Sequence, residues 1–405
     1  MWPEEFKRVV FAAVRVPEMS GGSTYVETMS NALAAEGVEV QHVSLRPGTR
    51  QAKFPTTVVF ARERLHAGPV LRGHGNPLRR AWAVPLVAFK WVDRRRGLRR
   101  YRRLIESFGP DTVVIFTHVK AKIVLRESGF RRGFRGAIFI GQHHSSFDSL
   151  NYETWLRDAL PAEFADVDAF TALTDEDAQD FAQLIGIPCY GIGNPLPSGI
   201  SPGDDREPIA VALARYSGEK QLDVMIRAFA EATSVPELGD WQLHLYGEGD
   251  LRDELQACID SVGVGDRVQL KGRTDDVPGV LRTASVNLLT SRYEGFGMSI
   301  LEAAAAGIPS VVFNCSPGVR RLVPPEAGYL VPNGDEEAYA RMLQLAMQND
   351  AERAQRGRAA VHVANDYLPE KVVHHLGILV ADASVLRVYD KDSLGRQDHK
   401  CIVGN

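Results

Sequence analysis

Short apolar runs rich in β-branched residues recur along most of the chain. They cover Val9–Val14, Val38–Val43, Thr112–Phe116, Ala137–Ile140, Ala169–Leu173, Ile209–Leu213, Gln242–Tyr246, Arg267–Lys271, Val286–Thr290 and Ser310–Phe313. Between them the apolar positions take a helical spacing, as in Tyr25–Glu36, Asp175–Leu184, Leu222–Thr233 and Leu251–Ser261. Strands that are apolar throughout and separated by helices predict parallel sheets covered on both faces. One series ends near residue 190 and a second begins after 208. The join, Gly191-Ile-Gly-Asn-Pro-Leu-Pro-Ser-Gly-Ile-Ser-Pro-Gly-Asp-Asp, holds three Pro and four Gly in fifteen residues and reads as a linker. The pattern predicts an α/β protein of two doubly wound domains facing across a cleft. Ligands are then expected at the carboxyl ends of the strands and between the domains.

The length of 405 residues suits two or three domains, and 44% apolar with 24% charged residues is the balance of a folded globular chain. The formal net charge of −4 conceals a division. Residues 1–135 hold 25 Lys and Arg against 11 Asp and Glu, a balance of +14; the rest holds 22 against 40, a balance of −18. The start carries two acids and no apolar stretch of secretory length before Arg15, so no signal peptide is visible. No apolar run approaches the ~18 residues of a spanning helix. Cys189, Cys258, Cys315 and Cys401 are scattered without a Cys-x-x-Cys pair, which predicts a reduced, cytoplasmic protein with no structural zinc.

A dinucleotide enzyme is disfavoured. Gly247-Glu-Gly-Asp-Leu-Arg and Gly295-Phe-Gly-Met-Ser-Ile both lack the third glycine of the fingerprint, and the loop Arg15-Val-Pro-Glu-Met-Ser-Gly-Gly lacks it altogether. The informative segment runs from Ser291 to Phe313: a strand end, a loop Glu294-Gly-Phe-Gly, a helix from about Met298, Gly307 and the next strand. Gly295 and Gly297 let backbone approach a ligand closely. The amides of Gly297, Met298 and Ser299 would point out of the helix N-terminus, a site suited to a diphosphate. Glu294 and Glu302 repel that anion, so neutral hydroxyls are their expected partners.

This segment resembles the Glu-x7-Glu signature of the family 4 retaining glycosyltransferases, which have the two-domain GT-B fold. The resemblance also takes in Ser20-Gly-Gly-Ser, Ala212-Leu-Ala-Arg-Tyr-Ser-Gly-Glu-Lys, Leu245-Tyr-Gly-Glu-Gly, Leu270-Lys-Gly-Arg and Gly328-Tyr-Leu-Val-Pro-Asn-Gly-Asp, in the family's order. It implies a donor domain at about 205–365 and an acceptor domain at 1–195, onto which a C-terminal helix within about 366–405 crosses back. It also implies roles. Glu302 would hold the donor ribose and Glu294, with Gly295 and Phe296, the transferred sugar. Arg215, Lys220, Gly22 and the Gly297–Ser299 amides would hold the diphosphate, and Arg273 would lie near the base. The histidine at the transferred sugar would come from Gly141-Gln-His-His-Ser-Ser-Phe-Asp, where His144 fits the family position better than His143.

The reaction so implied is metal-independent front-face transfer of a hexose or N-acetylhexosamine, from a nucleotide sugar to a hydroxyl acceptor. UDP is the favoured nucleotide and GDP the second, and no cofactor is required. Fixed cations stabilise the departing diphosphate. Asp166-Val-Asp and Asp390-Lys-Asp match a metal-binding Asp-x-Asp in letters and read as structural or solvated. The alternatives are a nucleotide-sugar epimerase of the same fold and a non-catalytic sugar-nucleotide-binding module.

Lys90–Leu104 packs eight cations into fifteen residues after the apolar Ala81–Phe89. At helical spacing this pattern resembles helices lying on anionic membranes. Lys120, Lys122, Arg126, Arg131, Arg132 and Arg135 extend it. The expectation is an anionic acceptor or a peripheral membrane contact through Arg94–Arg103; no recognised nucleic-acid motif accompanies the arginines. The run Val167-Asp-Ala-Phe-Thr-Ala-Leu-Thr-Asp-Glu-Asp-Ala resembles that of poly(glycerol-phosphate) α-glucosyltransferases, whose acceptor is a polyanion.

Overall fold

The computed structural model describes residues 2–18, 21–60, 77–131, 136–203 and 205–398, leaving out the side chains of 77–91 and 388–398. Among these residues two parallel sheets form. The first runs β3-β2-β1-β4-β5-β6-β7 and the second β10-β9-β8-β11-β12-β13. The first is built from β1 (Arg8–Arg15), β2 (Glu39–Arg46), β3 (Thr56–Val58), β4 (Thr112–Phe116), β5 (Ile138–Gln142), β6 (Ala169–Ala172) and β7 (Cys189–Gly191). The second comprises β8 (Ile209–Leu213), β9 (Gln242–Tyr246), β10 (Val268–Gly272), β11 (Val286–Leu289), β12 (Ser310–Phe313) and β13 (Gly328–Val331). Each strand expected from an apolar run is present, with its ends shifted by a few residues at most. The central ones are buried along their whole length, because helices cover both faces.

Three strands escape the apolar pattern. β3 and β7 are three-residue edges, only half-buried, with no continuous apolar stretch to mark them. β13 starts at Gly328, where a Cβ would sit 2.8 Å from the Ser310 carbonyl oxygen; glycine is what lets this edge close on β12.

In each sheet the chain builds outward from one central strand and then crosses to its other side. The crossing points fall between β1 and β4 and between β8 and β11. Side branches of a sheet diverge there, leaving a crevice at the strands' carboxyl ends. Both crevices open toward the same cleft.

The helix Pro369–Asp398 returns to the first sheet. Its Val373, Leu376, Leu379 and Val380 are at most 1% exposed and share a core with Tyr25, Met29 and Leu33. At ~1.5–3 kcal/mol for each buried aliphatic side chain, four of them hold this helix firmly. Its Arg387 donates to the Gly136 and Ala137 carbonyls. The helix runs on to Asp398, so the polar Asp390–Asp398 belongs to it.

The helix Pro77–Glu106 carries the cationic run. The apolar face expected over Ala81–Phe89 lies outside the described side chains, and Arg132 and Arg135 lie outside the described residues. Arg94, Arg95, Arg96, Arg99, Arg100, Arg102 and Arg103 are exposed. The extension of the patch needs correcting at one position. Lys122 is buried against Asp166 at 2.6 Å and is spent inside the domain, whereas Arg126, 61% exposed, stays at the surface while pairing with the buried Glu163 at 2.7 Å. Asp168 accepts from the Phe139 amide at 2.8 Å. The carboxylates of Asp166-Val-Asp thus serve the fold. Among the described residues no helix is long and apolar enough to cross a membrane.

Candidate active site

The loops after β8 and β11 are knitted together before any ligand arrives. The Thr290 hydroxyl faces the carbonyls of Lys220 (3.0 Å) and Gln221 (2.9 Å), and the Arg292 amide donates to the Glu219 carbonyl at 2.8 Å. Gln221 sits at φ 47°, a left-handed turn that starts the helix Leu222–Ala232 and points the preceding lysine back toward β11. Lys220 Nζ therefore meets Glu294 Oε1 at 2.5 Å, with the Ser291 hydroxyl donating to the same oxygen at 2.7 Å. Both ends of the pair are largely shielded, at 17% and 13% side-chain exposure, which strengthens the attraction relative to a surface pair.

Gly297, at φ 87°, caps the helix Met298–Ala305 in a conformation that favours glycine. Its amide and those of Met298 and Ser299 lie at the helix start. Facing them is a cavity of about 230 Å³, whose wall includes Gly22 and His144 from the first domain. From the second it takes Lys220, Glu294, Gly295, Phe296, Gly297, Met298 and Ser299. A Cβ at Gly22 would meet nothing within 4 Å, so that backbone borders open space. Phe296 contributes backbone, its ring being 2% exposed and packed edge-on against Tyr367 at 5.0 Å. Among the described residues Glu294 is the one carboxylate in this wall.

Three expected residues stand apart from the wall. Arg215 is 76% exposed and paired with Glu219 at 2.7 Å. Arg273 lies on the loop after β10. Glu302 lies farther along the helix, where burial pushes its carboxyl up to about 7.

The domains touch beside the cavity through backbone. A Cβ on Gly295 would lie 2.6 Å from the His144 carbonyl oxygen and 2.9 Å from Ser145 Cα. Tyr152 and Tyr293 stack across the cleft at 4.6 Å, and Arg320 and Arg321 pair with Glu176 and Asp175 at 2.6 and 2.8 Å. His144 is held by Asn194, whose Oδ1 is 3.2 Å from Nδ1, and by the Tyr25 ring at 4.4 Å. Burial lowers its pKa to about 4, the Asn194 bond opposing the shift only in part, so the imidazole is neutral at pH 7. His143 turns the other way, against Phe181 at 5.4 Å, and burial takes it to about 3.

Sequence reasoning missed Asn194, Tyr25, Ser291 and Thr290. Asn194 had one available signal: it is the only amide side chain in the Gly- and Pro-rich join.

The site can thus present a cation, a helix N-terminus, one oriented carboxylate and a neutral imidazole to a single ligand. Its architecture is the GT-B fold. TarM superposes with a TM-score of 0.71 over 93% of this chain and 100% of that one, at 15% identity. A single-residue mutant of S. aureus TarM, in complex with fondaparinux, α-GlcNAc-glycerol and UDP, superposes at 0.60, with 22% identity, over 71% of this chain and 58% of that one.

Residues 199–363, which hold the second sheet, match the family profile of glycosyl transferases group 1. Among curated proteins, an exopolysaccharide phosphotransferase of Streptomyces coelicolor is 30% identical over 46% of this chain and 20% of its own length. The poly(glycerol-phosphate) α-glucosyltransferase of Bacillus subtilis is 23% identical over 64% of this chain and 39% of its own. The chain therefore spans well under half of each of these relatives.

Proposed function

We propose that this chain is a retaining glycosyltransferase, similar to family 4, that moves a hexose or N-acetylhexosamine from a UDP-sugar to a hydroxyl acceptor. The observation that carries the reading is the convergence of Lys220, Glu294, the Gly297–Ser299 amides and neutral His144 on one inter-domain cavity. Lys220 and the helix start stabilise the negative charge that builds on the leaving diphosphate. Glu294, aimed by Lys220 and Ser291, takes hydroxyls of the transferred sugar. Arg215 and Glu302 reach the diphosphate and the ribose from just outside the cavity wall, and Arg273 the base. The departing phosphate oxygen removes the acceptor proton on the face it leaves, and the enzyme contributes orientation.

In this reading the transfer needs no metal, and Asp166-Val-Asp is engaged within the fold, with Asp166 against Lys122 and Asp168 accepting from the Phe139 amide. The donor domain is residues 205–365; the acceptor domain is 1–195 with the returning helix. UDP is supported by its presence beside α-GlcNAc-glycerol in the TarM complex.

The exposed arginines Arg94–Arg103 favour an anionic acceptor, in line with the poly(glycerol-phosphate) enzyme of B. subtilis, or a peripheral contact with an anionic membrane from the cytoplasmic side. Proton NMR of the product formed from UDP-glucose or UDP-N-acetylglucosamine tests the reaction. An α-linked product from the α-linked donor is expected; an inverted anomer, or donor turnover unchanged by acceptor, overturns the proposal. Charge reversal at Arg94–Arg96 and Arg99–Arg103 should raise the acceptor KM and abolish sedimentation with anionic liposomes.

A further inference from the structure

We infer that Asn194 is a positioning residue: it fixes the tautomer of His144 and leaves Nε2 as an acceptor for a hydroxyl of the transferred sugar. The inference rests on the glycosyltransferase reading for its ligand and on geometry for the tautomer. Asn194 is 9% exposed and lies on the segment joining the domains, with its Oδ1 3.2 Å from His144 Nδ1. An amide oxygen can only accept, so the proton resides on Nδ1, and a neutral imidazole has no second one to give.

Nε2 therefore carries a bare lone pair. It is buried, has no hydrogen-bond partner, and belongs to a residue in the cavity wall. A buried acceptor without a donor costs free energy that a ligand can recover. The diphosphate cannot supply that donor, since its oxygens are acceptors; a neutral hydroxyl can. The atom thus selects sugar rather than phosphate, and a site that depends on a hydroxyl rejects a ligand lacking it.

The surroundings keep this arrangement in place. The Tyr25 ring lies 4.4 Å from the imidazole, and its own oxygen accepts from Gln142 Nε2 at 2.7 Å, which stops the ring turning away. Asn194 follows Gly193, where a Cβ would sit 2.5 Å from the Tyr367 ring and 2.7 Å from that of Phe296. Two residues on, the Leu196 amide donates to the Tyr367 carbonyl at 2.7 Å. The proton on a cleft histidine of the first domain is thereby set by a linker pressed against the second.

The test combines nitrogen-15 NMR of the unliganded protein with calorimetric titration. In the wild type, His144 should show a protonated Nδ1 and an unprotonated Nε2. Asn194→Ala should mix the tautomers, and Asn194→Asp, which still accepts from Nδ1, should keep them. UDP should bind wild type and Asn194→Ala alike, and in Asn194→Asp, whose carboxylate repels the diphosphate, the readout is the ratio of UDP-sugar to UDP affinity within that protein. UDP-glucose and UDP-N-acetylglucosamine should lose about tenfold in affinity relative to UDP in Asn194→Ala, the worth of one net hydrogen bond, and Asn194→Asp should recover part of it. A wild-type spectrum with the proton on Nε2, or an unchanged ratio in Asn194→Ala, overturns the inference. If His144→Ala also leaves the ratio unchanged while the spectrum is as expected, the sugar does not sit at His144 and it is the functional reading that fails.

Discussion

Replacing Gly295 by alanine isolates the backbone contact on which the cleft is built. The added Cβ would lie 2.6 Å from the His144 carbonyl and 2.9 Å from Ser145 Cα, both main-chain atoms that no rotamer change can move. Gly295 is not among the positive-φ glycines, so the cost is steric alone. Restoring an ordinary carbon–oxygen contact of ~3.5 Å requires a displacement of roughly 1 Å. The atoms that must move carry Glu294 on one side and His144 on the other. Overpacking of this kind costs ~1–3 kcal/mol of stability, while a 1 Å error between reacting groups costs on the order of 100-fold in rate. Gly295→Ala should therefore keep a folded core, lose a few degrees of Tm, and lose about two orders of magnitude in kcat for sugar transfer. Calorimetry and a UDP-release assay measure the two effects. Full activity in a variant with unchanged Tm would mean that this contact does not set the cleft.

Gly22→Ala should behave oppositely: its Cβ meets nothing within 4 Å, so Tm should hold while affinity for UDP falls as the methyl enters the cavity. Asp166→Ala should destabilise by ~1–3 kcal/mol in urea titrations because it strands the buried Lys122 ammonium, and chelators should leave transfer unchanged in wild type and variant alike. Stability should fall on acidification. His42, His118 and His144 are lowered to about 4 and His143 to about 3 by burial, so the unfolded chain takes up protons below its normal histidine pKa of ~6.5 and the native state does not. Each contributes about 2 kcal/mol lost between pH 7 and 5. Glu302, raised to about 7, binds its proton better when folded and returns about 2 kcal/mol over the same range; denaturation at pH 7 and pH 5 should still show a net loss of several kcal/mol.

The fold was legible because central parallel strands must be apolar on both faces, and the middle residues of β1, β4, β5 and β12 advertise that without a break. β3 and β7 were not, since a half-solvated three-residue edge has no pattern to show. At the site, loop and helix chemistry after β11 was readable as local sequence: Gly297 caps a helix because its neighbours in the chain require it. The ion pair of Lys220 with Glu294, 74 positions apart, is set by the left-handed turn at Gln221 and by Thr290, neither of which a local pattern discloses. The cationic stretch shows the converse. Lys122 looks like surface charge in sequence, and only Asp166, on the turn after the helix Thr154–Phe164, reveals it as internal.

The central claim is that Lys220 and the helix start at Gly297 form a nucleoside-diphosphate site. Calorimetric titration of wild type and Lys220→Ala with UDP, UMP and uridine tests it most directly. The account predicts that wild type binds UDP well above UMP and that Lys220→Ala loses at least tenfold, about 1.4 kcal/mol, for UDP but little for uridine. Equal affinity of wild type for UDP and uridine, or a UDP affinity untouched by Lys220→Ala, would contradict it.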